Sequence, residues 1–165
     1  MAELSSAPRW APWVTLPLAV IGLALSVYLT VVHYTEPTAL ACPATGAIDC
    51  TKVTTSTQSS LFGVPVALAG AVYFLAMTLL LLPASWRSRS RPVMLLRVGG
   101  AVAGIGMVLW LVYAEFVILH AICLWCTAVH LVTFALFVAV VAAVAWGGDV
   151  ADENRPTPAM AASER

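Results

Sequence analysis

Four long apolar stretches, residues 13–32, 64–82, 98–119 and 124–146, leave this sequence few ways to fold. Each is close to the ~20 residues that an α-helix needs to cross the hydrocarbon core of a bilayer. Hydrophobic residues make up 61% of the chain and charged residues 10%, with no net charge to attract nucleic acid. An integral membrane protein is the class that fits. The expected fold is all-α, a four-helix membrane bundle with a long extracytoplasmic loop between its first and second helices.

The first stretch is not read as a cleaved secretory signal, although Arg9 precedes it and Ala39-Leu40-Ala41-Cys42 faintly resembles a lipoprotein cleavage site. It is too long for a signal core, the polar run His33-Tyr34-Thr35-Glu36-Pro37 intervenes, and Leu40 is misplaced before the cysteine.

Charge placement gives the orientation. The connection 33–61 holds Lys52 as its only Lys or Arg, whereas the connection 83–97 carries Arg87, Arg89, Arg91 and Arg97. Excess Lys and Arg marks the cytoplasmic side, so the second connection lies inside and, with four spans, so do both termini. Arg9, Arg155 and Arg165 agree with this. Three regions follow: a cytoplasmic N-terminus at 1–12, the catalytic bundle at 13–146, and a disordered cytoplasmic tail at 147–165, which begins Gly147-Gly148-Asp149 and contains Pro156 and Pro158. The expected location is a bacterial inner or plasma membrane. Gly100 and Gly104, and Ala67 and Ala71, stand four apart as small residues do at close helix contacts. Pro65 suits a first helical turn, with Gly63 allowing the chain to bend ahead of it.

The chain has four cysteines in two close pairs, Cys42/Cys50 and Cys123/Cys126. Counting spans puts all four on the extracytoplasmic side, where disulfides form and persist. Cys123-Leu124-Trp125-Cys126 opens the fourth stretch, and positions i and i+3 of a helix share a face, so the pair can close a disulfide or reach one ligand together. A helix N-terminus favours thiolate over thiol, which makes a pair placed there reactive. At the end of an apolar bundle such a pair can pass two electrons to a lipid-soluble acceptor. Cys42 and Cys50 are spaced as in a flexible loop that closes a disulfide. Two structural disulfides and a four-thiolate zinc site remain as alternatives, zinc being the weaker because His33 and His130 have no ligand spacing and one pair lies partly in the bilayer.

With these features the sequence resembles the vitamin K epoxide reductase family in its bacterial form. The resemblance runs from Trp13 to Trp146: four spans, the C-x7-C pair Cys42/Cys50, Ser60-Leu61-Phe62-Gly63-Val64-Pro65 opening the second helix, Gly70 and Tyr73 along it, and Cys123-Leu124-Trp125-Cys126 opening the fourth. It implies a quinone-dependent thiol oxidase, with Cys123/Cys126 beside the quinone and Cys42/Cys50 as the shuttle pair. The quinone would be menaquinone, ubiquinone or vitamin K-like, and no metal is implied. The protein partner would be a separate extracytoplasmic thioredoxin-fold disulfide oxidoreductase, since many bacterial relatives carry such a domain fused and this sequence shows none. Unrelated four-helix quinone reductases with two cysteine pairs have the C-x-x-C in the first outside loop, the reverse of the order here.

By the same resemblance, the quinone carbonyls are met by a polar side chain ahead of the Phe62-Gly63 turn, Ser59 or Ser60, and by His130, one helical turn past Cys126. Phe62 and Trp125 are expected in the pocket, Trp125 as a wall. Glu115 is the one acid inside a predicted span and is a candidate for relaying the quinol protons. The competing reading is a non-catalytic membrane scaffold braced by disulfides.

Overall fold

The computed structural model describes residues 8–36, 40, 42, 46–61, 63–87 and 90–153, with 147–153 described by backbone alone. The chain is mostly helical. Helix α1 (Ala11–Thr35) is followed by a short α2 (Cys50–Thr54), a 3-10 turn (Thr57–Ser59) and a hairpin of β1 (Ser60–Leu61) and β2 (Val64–Pro65). Then come α3 (Val66–Leu80), α4 (Pro83–Arg87), α5 (Arg91–Tyr113) with a π-helical turn at Ala114–Leu119, and α6 (Leu124–Glu153).

Among the described residues, three helical segments are long and apolar enough to cross a membrane: Ala11–Thr35, Arg91–Leu119 and Leu124–Trp146. The stretch 64–82, expected as a full span, yields only the 15 residues of α3. At 1.5 Å per residue that is about 22 Å of helix, short of the ~30 Å hydrocarbon core. Its start is delayed because Val64 and Pro65 pair with Leu61 and Ser60 as antiparallel strand. Pro65 therefore has extended backbone and caps α3 from outside, rather than sitting in its first turn. Gly63 makes the hairpin turn with φ at +81°, a region that favours glycine.

Helix α1 packs on α3 and α6, and α5 packs on α6 and α3. Their shared core holds Ala19, Phe74, Met77, Leu81, Ala101, Leu136 and Val140. Phe74 lies where a side chain on Gly22 would otherwise be, which lets α1 and α3 approach closely. Large apolar side chains such as Leu109, Leu131 and Phe134 face outward. Helices apolar on every side suit a lipid surrounding rather than water.

The far end of the bundle is held by Arg97. Expected as a loop charge, it instead lies inside α5 and is 4% exposed. Its Nε donates to the Leu80 carbonyl at 2.9 Å and its Nη2 to Ser85 Oγ at 2.9 Å, while the guanidinium stands 4.1 Å from the Trp86 ring centre. Arg97 thus satisfies a carbonyl that the end of α3 leaves free and fixes α4 beneath it. Arg97→Leu is expected to destabilise the fold by about 3 kcal/mol, from two charge-assisted hydrogen bonds and the ring contact. Thermal unfolding in detergent checks this, with Arg97→Lys expected to lose less.

The last helix also runs past Trp146, the boundary expected for the tail, and continues to Glu153. Residues 147–153 are thus helical. Most of the proposed tail, 154–165, and most of the proposed N-terminal region lie outside the described residues.

Candidate functional site

The connection between α1 and α3 is folded where it is described. Ile48 forms a parallel bridge with Ile122: Asp49 N–H donates to the Ile122 carbonyl at 3.2 Å, and Ile122 N–H to the Ala47 carbonyl at 2.8 Å. Asp49 then caps α2, its carboxylate accepting the Lys52 N–H at 2.9 Å. Cys50 is the first residue of that helix, turned inward and 2% exposed. It is joined to Cys42 by a disulfide.

Cys123 follows the bridge on the other strand and is fully buried. It occupies the cap position of α6: its Sγ accepts the Cys126 N–H at 3.3 Å, as a serine or threonine hydroxyl does at a helix start. Cys123 and Cys126 are free thiols. Cys50 and Cys123 share one buried cluster with Leu29, Val32, Leu40, Val53 and Ala121, and Cys42, Trp125 and Cys126 pack against it. All four sulfurs are thus gathered at one end of the bundle. Cys123, just ahead of the apolar segment, is held below the ordinary thiol range, chiefly by the hydrogen bond from the Cys126 side chain. Burial opposes this, and the Cys126 N–H adds to it.

The end of α5 is shaped by its π turn. His120 closes the turn in the left-handed region, with φ at 48°, and Ala121 N–H returns to the Glu115 carbonyl at 3.1 Å. A histidine tolerates that conformation better than most residues, at a modest strain. The fold-back brings Glu115 inward: it is 4% exposed, with its carboxylate near the Cys123 backbone. Near the outer end of its span by sequence, Glu115 is nonetheless enclosed by protein.

A cavity of about 300 Å³ opens beneath the cysteine cluster, with mostly apolar walls. Of the residues singled out from sequence, Ser59, Glu115, Cys126 and His130 line it together. Cys126 and His130 reach it from one face of α6, one turn apart. Ser59 also donates to the Ser56 carbonyl at 2.6 Å.

Other expected residues stand elsewhere. Ser60 is exposed, its hydroxyl donating to the Thr57 carbonyl at 3.2 Å, so of the two serines only Ser59 lines the cavity. Trp125 is not a wall of it: one residue of helix rotation turns it toward α1, where it meets Tyr28 with ring centres 4.7 Å apart. Phe62 lies outside the described residues. Among the described residues, no three His, Cys, Asp or Glu side chains are placed to hold a metal ion.

The cavity also holds a group that the sequence reading passed over. Tyr73, from the middle of α3, lines it, and its hydroxyl is buried with no hydrogen-bond partner among the described residues. The signal was present: interfacial tyrosines mark span ends, and this one is in mid-span.

The family model for the vitamin K epoxide reductase family matches residues 13–141. A search of curated proteins gave no match. Because the match covers most of the sequence, including both cysteine pairs and every residue lining the cavity, this chain belongs to the vitamin K epoxide reductase family, a family of membrane oxidoreductases.

Proposed function

We propose that this protein is a membrane thiol oxidase that reoxidises a separate, extracytoplasmic thioredoxin-fold catalyst and passes the electrons to a membrane quinone. The carrying observation is the placement of the two cysteine pairs in one buried cluster, with Cys126 alone of the four opening onto the cavity. We read α3 as the fourth, short spanning helix and place the cysteine end outside, as the arginines of the opposite end require.

The cavity suits a quinone ring. Its walls are mostly apolar, its volume of about 300 Å³ falls at the lower end for small-molecule sites, and one lining residue, Tyr73, has a buried hydroxyl with no hydrogen-bond partner among the described residues. A quinone bound there supplies a two-electron, two-proton acceptor. The rest belongs to the chain. A thiolate of the reduced partner attacks Cys42, breaking the Cys42–Cys50 bond and releasing Cys50; the partner's second thiol then frees Cys42 and leaves the partner oxidised. Cys50 attacks Cys123 of a Cys123–Cys126 disulfide and releases Cys126, and Cys42 closes on Cys50 to leave both thiols of the second pair reduced. Cys126 faces the acceptor, and Cys123 closes the bond with it as the electron pair departs. In this reading Ser59 and His130, which line the cavity, orient the ring, and Glu115, which lines it too, receives a thiol proton.

The test is quinol formation by the purified chain with a reduced thioredoxin-fold partner and a short-tailed quinone. Sustained turnover is expected; a scaffold braced by disulfides gives none and keeps its Cys42–Cys50 bond in mild reductant. Orientation is read separately: a membrane-impermeant thiol reagent labels reduced Cys42 in intact cells. Labelling only after lysis reverses the topology.

A further inference from the structure

Tyr73 is the residue whose position calls for an occupant. A hydroxyl enclosed by protein in mid-span destabilises the fold when it is left unpaired. A phenylalanine would fill the same space without that penalty. Yet the Tyr73 hydroxyl is buried and makes no hydrogen bond among the described residues.

Its surroundings indicate what it is kept for. The ring meets Phe74 edge-on, with centroids 5.0 Å apart. Its hydroxyl stands over Gly104, where any Cβ would overlap it, with the Thr133 methyl also close to that position. The Thr133 hydroxyl is already engaged, donating to the Val129 carbonyl at 2.8 Å. Tyr73 also lines the cavity, together with Thr133 and Cys126, so a small turn of the ring brings the enclosed hydroxyl to it.

Depth along α6 sets what fits between them. Cys126 and Thr133 are two turns apart on one face, about 10 Å along the axis. That interval accommodates a sulfur resting on a ring edge, the ring with its far oxygen, and one hydrogen bond.

Resting on the thiol oxidase reading above, we propose that the Tyr73 hydroxyl is a binding group for the quinone, donating a hydrogen bond to the ring oxygen farthest from Cys126. Tyr73 then sets the depth and direction of the ring so that its near edge meets the Cys126 sulfur. Gly104 contributes by leaving the hydroxyl its place.

Binding to the oxidised full chain in detergent tests this without turnover. The probes are tetramethyl-1,4-benzoquinone, which has no free ring position for a thiol to add to, and tetramethylbenzene, the same ring without oxygens. Tyr73→Phe is expected to bind the quinone about 10-fold more weakly than the unsubstituted chain, while the two bind the hydrocarbon equally. Its melting temperature without ligand is expected to be equal or higher. Equal quinone affinity in the two proteins overturns the assignment, as does an equal loss for the hydrocarbon, which marks a change of shape. A Tyr73→Phe chain that melts lower or fails to fold overturns it too, because the hydroxyl then has a structural partner. If the unsubstituted chain binds the hydrocarbon but shows no preference for the quinone, the functional reading itself fails.

Discussion

Cys126→Ala is expected to abolish sustained quinol formation, by roughly a thousandfold or more, as removal of an attacking group does. Cys126 is the only cysteine lining the cavity, and the other three sulfurs lie in or beyond the cluster above it. Without Cys126, the second pair can neither form its disulfide nor present a sulfur to the ring. The partner's access to Cys42–Cys50 is untouched, so each protein molecule still oxidises partner in one stoichiometric burst and then stops. Stopped-flow quinol absorbance beside a thiol count of the partner separates the two events. Steady turnover near the unsubstituted rate would place the quinone at another sulfur.

The second large effect is at Cys50. In Cys50→Ala, Cys42 has no disulfide through which to accept electrons, and turnover is expected to fall by a similar factor. Cys42 acquires a different chemistry. Its thiolate attacks the disulfide of oxidised partner, joining the two proteins and releasing one partner thiol, and no Cys50 remains to expel the partner. Acid quenching followed by a non-reducing gel should show the adduct with oxidised partner, and none with a partner that lacks its second cysteine and so has no disulfide to attack, nor with the Cys42→Ala, Cys50→Ala double variant. Full oxidase activity in Cys50→Ala would sink the shuttle assignment, since the partner would then be reducing Cys123/Cys126 directly.

The parts of this molecule legible in sequence are those set by local composition. Apolar runs near the length of a bilayer crossing marked α1, α5 and α6, and the C-x-x-C marked the head of α6. What could not be read depends on partners distant in the chain. Nothing near Pro65 says that it pairs with Ser60 and shortens α3. Nothing near Arg97 reveals that its guanidinium ends up on the Leu80 carbonyl, so it counted as a loop charge. Glu115 was visible as an acid in an apolar run, but the π turn that folds it under Cys123 has no signature in residue type. Trp125 lies beside Cys126 in sequence, and a single step of helix rotation carries it out of the cavity. Ser59 and His130, which line the cavity, were named from the spacing of the resemblance, while Tyr73, which lines it too, counted only as a landmark of the family.

The bridge between Ile48 and Ile122 bears on rate as well as on shape. Two backbone hydrogen bonds hold the segment ahead of Cys50 against the segment ahead of Cys123. In the relay proposed above, these two thiols meet at the effective molarity of a pre-aligned pair rather than by the search of a loose loop. A free thiol in the surrounding medium then competes poorly for the same disulfide, and the buried position of both sulfurs compounds that disadvantage. In that relay the short β-bridge would act as kinetic insulation, keeping electrons that enter at Cys42 on the path to Cys126.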